Sequence, residues 1–178
     1  MPHDLSAPRV VVASGMAGNG VSTIADQLQQ SAPAINVVDG GAQWADILEA
    51  CMPGFARLLA VTSNDIVSIT ATYALVKLVR DRFTDAPIEV VVNRCDTRDA
   101  LKTYERVQSA ASHFLNETVG YGGAIPDGTP DEIAEETTDE TLSMDMTMAI
   151  HDIAVRLDGE LNPSNGRTLQ RAAERRSI

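Results

Sequence analysis

The sequence predicts an α/β fold: a single domain with a mostly parallel sheet and helices on both of its faces. Three observations carry that expectation. Short β-branched runs alternate along the chain with stretches of helical spacing, the pattern of successive strand–helix–strand units. Hydrophobic residues make up 44% of the 178 residues but aromatics only 4%, so Val, Ile, Leu and Ala must build the core, as in strands buried on both sides. The first strand-like run also opens directly into a glycine-rich turn, and in such sheets ligands sit beyond the carboxyl ends of the strands.

Arg9-Val-Val-Val-Ala13 predicts a buried first strand ending at the turn Gly15 to Gly20. Ser22 to Gln30 predicts the following helix, stopped before Pro33. Ile35 to Val38 predicts a second strand, ending at Asp39-Gly-Gly41. Trp44 to Cys51 predicts a helix closed by Pro53-Gly54, with Trp44 expected to pack. Arg57 to Thr62 predicts the third strand. Asn64 or Asp65 is placed to cap the next helix, about Val67 to Phe83, where Ile69, Tyr73, Val76 and Phe83 fall at helical spacing. Ile88 to Val92 predicts the fourth strand, ending at Asn93-Arg94. Arg98 to Leu115 predicts an amphipathic helix using Leu101, Tyr104, Val107, Ala111 and Phe114. Thr118 to Ile125 predicts a shorter fifth strand with a turn. A closing helix, Met144 to Leu157, turns Ile150, Ile153 and Leu157 inward, and Met144, Met146 and Met148 are expected to fill core gaps.

The expected organisation is one domain over residues 1–161, containing an acidic segment at 127–145. A linker and basic tail at 162–178 carry Arg167, Arg171, Arg175 and Arg176. A formal net charge of −11 argues against sequence-independent nucleic-acid binding, which relies on basic surface, and suggests solubility or basic protein partners. Cys51 and Cys95 stand far apart in no paired motif, so both are expected to be buried and inert in a reducing cytosol. His3, His113 and His151 are scattered and suggest no metal site. No apolar run reaches the length of a membrane span, and Met1 to Pro8 lacks the apolar core of a signal peptide. The tail's weak apolar face argues against an amphipathic membrane-targeting helix. The expectation is therefore a cytoplasmic protein without stable membrane insertion.

Gly15-Met-Ala-Gly-Asn-Gly20 gives both glycines of the phosphate-loop pattern G-x-x-x-x-G-K-[ST] at the right spacing, between a strand and a helix. Such glycines let backbone N–H groups face a phosphate, and the helix N-terminus adds a favourable partial charge. Ser22 holds the hydroxyl position that ligates magnesium, but Val21 stands where the lysine should be. Ser14 to Thr23 resembles, without a gap, the deviant loop S-G-K-G-G-V-G-K-S-T of the MinD/ParA-type P-loop ATPases, with Met16 on that family's signature lysine and Val21 on the general one. Asp39-Gly-Gly-Ala42 resembles the switch II segment D-x-G-A. Leu-Ala-Val-Thr62 and Ser68 to Lys77 resemble the flagellar-number regulators of the family, Val91 to Arg94 its V-V-N-R, and Tyr121 to Pro126 its L-G-x-I-P turn. The likeness covers about Arg9 to Leu157.

The resemblance implies a compacted P-loop fold and a nucleotide site at Gly15, Gly18, Asn19, Gly20, Val21, Ser22, Thr23, Asp39, Asn93 and Arg94. Asn93 would contact adenine and Ser22 would ligate Mg. ATP or ADP with magnesium is the cofactor it implies; the residues themselves establish none. The departures count equally. Both lysines are replaced, and only one helix and one strand separate Ser22 from Asp39. With Asp39 as the switch II residue, which the ungapped match after it favours, the unit carrying the switch I aspartate is missing; with Asp39 as the earlier strand's aspartate, switch II is missing instead. The expectation is a pseudo-ATPase with no catalytic residues. It would bind proteins, itself or an intact relative included, as a regulator of flagellum, pilus, secretion or cell-pole positioning. Three alternatives stand beside it: a slow or partner-completed ATPase in which Lys77, Arg57 or Arg94 replaces the lost lysine; a module for another nucleotide or anion, with Asn93 or Thr62 reading the base; and a scaffold with an empty loop. For Ser22 and Thr23 a plain helix-capping role, and for Asp39 and Asn93 a turn-closing role, are open as well.

Overall fold

The computed structural model describes residues 7–127 and 143–163. They form β1 (Arg9–Ser14), α1 (Val21–Ser31), β2 (Asn36–Gly41), α2 (Trp44–Cys51), β3 (Arg57–Thr62), α3 (Ile66–Arg82), β4 (Ile88–Asn93), α4 (Thr97–Leu115), β5 (Gly120–Ile125) and α5 (Met144–Leu161). The strands make one parallel sheet in the order β2-β1-β3-β4-β5. The predicted α/β class and the alternation are thus observed. The second strand runs further than expected, through Gly41, and the fifth begins only at Gly120.

Alternation along the central strands divides the core in two. Val11, Ala13, Leu58, Ala60, Val90 and Val92 face one layer, covered by α2, α3 and α4. Val10, Val12, Leu59, Val61 and Val91 face the other, covered by α1 and α5 through Ile24, Leu28, Ile150 and Leu157. Each fully buried Leu or Ile contributes about 1.5–3 kcal/mol, and this is where the sparse aromatic content is made good. Asp65 and Asp96 start α3 and α4 by accepting the N–H of Ser68 and Asp99, each at 2.9 Å. Both sheet edges carry side-chain clamps. Gln29 bonds the Val37 N–H and the Ile35 carbonyl beside β2, each at 2.9 Å, while Arg156 donates to the Gly122 carbonyl of β5 at 3.1 Å.

Five residues expected to pack face solvent instead. Leu101 and Phe114 face solvent, because α4 approaches the sheet through the small stripe Ala100, Thr103, Val107 and Ala111. Phe114 instead meets Tyr73 edge-on at the surface, 6.2 Å between ring centroids. Met144 and Met148 are exposed, since α5 buries Ile150, Ile153, Ala154 and Leu157 and both methionines lie on the opposite side; Met146 alone of the three packs on the core. Trp44 is half exposed at the start of α2 rather than packed. Cys51 and Cys95 are free and buried, as expected. The acidic segment's 128–142 and the tail's Arg167, Arg171, Arg175 and Arg176 lie outside the described residues.

Candidate functional site

The glycine-rich loop joins the carboxyl end of β1, an interior strand paired with β2 and β3, to α1. Gly15 is tied to its identity by contact: a Cβ there would lie 2.1 Å from the Ala71 carbonyl oxygen of α3. Gly18 and Gly20 have φ of 89° and 74°, the left-handed region that side chains disfavour. Between them Asn19 turns inward, only 5% exposed.

Asn19 is the pin of the loop. Its amide nitrogen donates to the hydroxyls of Ser14 and Ser68, each at 2.8 Å, and its amide oxygen accepts from the Ser63 hydroxyl at 3.1 Å. Ser68 is the hub on the α3 side, accepting also from Thr62 at 3.2 Å and from the Ser63 N–H at 3.0 Å. Asn93, at the end of β4, donates from its amide to the Asn19 carbonyl at 3.0 Å and accepts the Arg94 N–H at 3.0 Å. That closed turn leaves Arg94 at φ 57°. A Cβ on Gly20 would come within 2.9 Å of the Asn93 amide, so Gly20 and Asn93 are fitted to each other. Six side chains from the loop, three strand ends and a helix are thus knitted by hydrogen bonds between uncharged groups, as buried polar groups require.

The loop's outer side is different. Gly20 is the N-cap of α1 and offers no side-chain bond, so the first-turn N–H groups of Val21, Ser22 and Thr23 have no partner among the described residues. Val21, on the lysine position, is buried among the apolar residues of the α1–α5 layer. Ser22 and Thr23 are exposed in the first turn and do not cap it. Asp39 is exposed at the end of β2, where its carboxylate accepts the Gly41 N–H at 2.8 Å and closes the turn beside the loop. Thr62 is fully buried in the network around Ser68.

Among the described residues, no Lys or Arg side chain hydrogen-bonds to the loop. Arg57 begins β3 at the other end of the sheet and pairs with Glu89 and with Glu160. Lys77 is eleven residues along α3, roughly 16 Å beyond its start. Arg94 is exposed beside Asn93. Groups of three or more His, Cys, Asp or Glu residues placed for a metal do not occur among the described residues. Nor is any described helix long and apolar enough to cross a membrane.

Spacing alone did not reveal Ser63 and Ser68 as partners of Asn19, because they lie more than forty residues away in sequence. One local signal existed: Asn19 stands where the resembled loop has valine, a polar group in an apolar position that must find bonds.

No protein-family model matches the chain, and neither does any curated sequence. Among solved structures the chain is similar to the MinD cell division protein of Aquifex aeolicus, at 14% identity and a TM-score of 0.53, covering 86% of this chain and 98% of that one. MinD in the MinC:MinD cell division protein complex of Aquifex aeolicus is similar at 12% identity and a TM-score of 0.53, covering 86% and 96%. At this identity the likeness shows the fold, a MinD-type α/β sheet.

Proposed function

We propose that this chain, on its MinD-type fold, is a catalytically degenerate protein that regulates position or assembly by binding other proteins. The single observation that carries the proposal is the chemistry of the loop. It is held from beneath by a neutral Asn19 network, while Val21 is buried and no described basic side chain bonds to the loop. Phosphoryl transfer is catalysed by positioning and by charge stabilisation. Each missing stabilising group costs about 10²–10³ in rate, so the loss of both lysines and of a switch I carboxylate removes efficient hydrolysis.

At the same end of the sheet, Ile66 and Val67 at the start of α3 and Trp44 at the start of α2 are exposed apolar side chains. Exposed apolar groups beside a loop poor in charge suit a protein contact better than a triphosphate. MinD is seen in complex with MinC, which supports a protein partner on this fold. The process we favour is placement of a flagellum, pilus, secretion machine or pole component, on the sequence likeness of Ser68 to Lys77 and Asn93-Arg94 to flagellar-number regulators. One observation favours a second reading: the uncapped first turn of α1, with exposed Ser22 and Thr23, is suited to a weakly charged nucleotide or anion.

Phosphate release from ATP with magnesium tests the proposal. No release above the protein-free blank is expected. Turnover near one per minute or faster, alone or with an intact relative added, would overturn it in favour of a slow or partner-completed ATPase.

A further inference from the structure

Away from the loop, a groove of about 750 Å³ runs between the edge strand β5 and α5. Its strand wall is the run Tyr121 to Ala124, and its helix wall presents Met148, Ala149 and Ile153. Three carboxylates rim it: Asp96 at the start of α4, and Asp145 and Asp152 on α5. All three are exposed, and none is in an ion pair among the described residues. Arg156 also reaches the groove, but its guanidinium is already paired with Glu89 at 2.7 Å and Glu160 at 3.1 Å. Among the described residues, the uncompensated charge of the groove is therefore negative. The hydroxyl of Tyr121 is buried and has no hydrogen-bond partner.

We infer that this groove binds an extended peptide segment of a protein partner in which basic and apolar side chains alternate. The inference deepens the protein-binding reading above and rests on it. Charge decides the sign of the partner: three exposed carboxylates, without an ion-pair partner among the described residues, around an apolar floor favour lysine or arginine at the rim and a small aliphatic side chain between them. A second copy of this chain would bring the same acidic rim, and a net charge of −11, against itself. Size decides the conformation. From Asp145 to Arg156 the helix wall is roughly 16 Å long, which about five residues of extended chain would span. Five residues in a helix would cover only about 7–8 Å of that wall, so an extended segment spans it with the fewest residues. Pairing along the whole strand edge is not available, because Arg156 holds the Gly122 carbonyl at 3.1 Å. Recognition falls to the carboxylates and the apolar floor.

The test is fluorescence anisotropy on the full chain with two capped, labelled hexapeptides, one alternating lysine and valine, the other glutamate and valine. The lysine peptide is expected to bind saturably and at least tenfold tighter. Asp145→Lys combined with Asp152→Lys, both at exposed positions, should reverse that preference. Ala149→Trp, which fills the groove, should abolish binding of the lysine peptide. Equal affinity for both peptides, or lysine-peptide binding that Ala149→Trp leaves intact, would overturn the inference. So would a dimer in sedimentation that Ala149→Trp dissociates, which would assign the groove to a second copy. If Ala149→Trp does not fold, the charge reversal alone decides. Phosphate release from ATP by the same variants separates the two levels: turnover there defeats the pseudo-ATPase reading and leaves the peptide result standing, while peptide failure with no turnover defeats the groove alone.

Discussion

The two ends of the sheet are held together in opposite ways. At the amino ends of β3 and β4, Glu89 is buried in a cluster of charges with Arg57, Arg156 and Glu160. At the carboxyl ends, Asn19, Ser14, Ser63, Ser68 and Asn93 make a network of uncharged side chains, and the charge bonded to it, the Asp65 carboxylate, lies exposed at the surface. The same strands thus carry a compensated ionic cluster at one end and a neutral one at the other. The fold tolerates buried charge where charge is balanced. Its absence at the loop is a property of the residues placed there, and it is the property that separates a phosphate-binding loop from a turn of the same shape.

Substitutions at each end sharpen the contrast. The largest effect is expected from Gly15→Ala, whose methyl would meet the Ala71 backbone; a loss of about 3 kcal/mol or more in urea unfolding is expected. Glu89→Gln leaves two guanidiniums facing a neutral amide and should cost about 3 kcal/mol, somewhat reduced because Arg156 is a third exposed. Asn19→Ala leaves the Ser14, Ser63 and Ser68 hydroxyls short of a partner, for about 2 kcal/mol. If Asn19→Ala proved neutral, the loop would not depend on its network and the comparison would fail.

How much of this was legible beforehand differs between fold and site. Apolar runs rich in Val, Leu and Ile disclosed β1 to β4, while the edge strand β5, with Ile125 as its one β-branched residue, was legible only as a short glycine-rich strand with a turn. Helix faces were harder: Leu101, Phe114, Met144 and Met148 sit at plausible spacings, yet which stripe meets the sheet depends on how closely small residues such as Ala100 and Ala111 let the helix approach. In the site, the loop and its missing lysines were legible from spacing. The partners of Asn19 were not, since Ser63 and Ser68 join it only through the parallel pairing of β1 with β3. Glu89 gave a signal in a run otherwise of Ile and Val, but its partners Arg57 and Arg156 are dozens of residues away on either side.

Two smaller effects bear on the margins of the network. Asp65 caps α3 beside Ser63, and Asp65→Ala should cost about 1 kcal/mol in thermal unfolding. The Ser63 hydroxyl, and then the Ser68 N–H, hold the Asp65 carboxyl below its ordinary range. A carboxyl depressed in the folded state contributes stability above its unfolded pKa near 4 and loses it as pH falls through the lower folded value. The stability gap between wild type and Asp65→Ala should therefore be full at pH 6 and narrow below pH 4. Burial pushes the Cys51 thiol up to about 11, with nearby Arg9 opposing, and raises that of Cys95 as well. Labelling of Cys51 by a disulfide reagent at pH 8 should be slower than that of free cysteine by roughly a hundredfold.

The central claim is that the loop keeps a phosphate-binding shape without the charge to hold a triphosphate. Calorimetric titration of the full chain with ATP and magnesium tests it most directly, with Trp44 fluorescence as a parallel signal. The account predicts no heat and no fluorescence change at millimolar nucleotide. Saturable binding in the micromolar range would contradict it, and would show that the backbone around Gly18 and Gly20 suffices on its own.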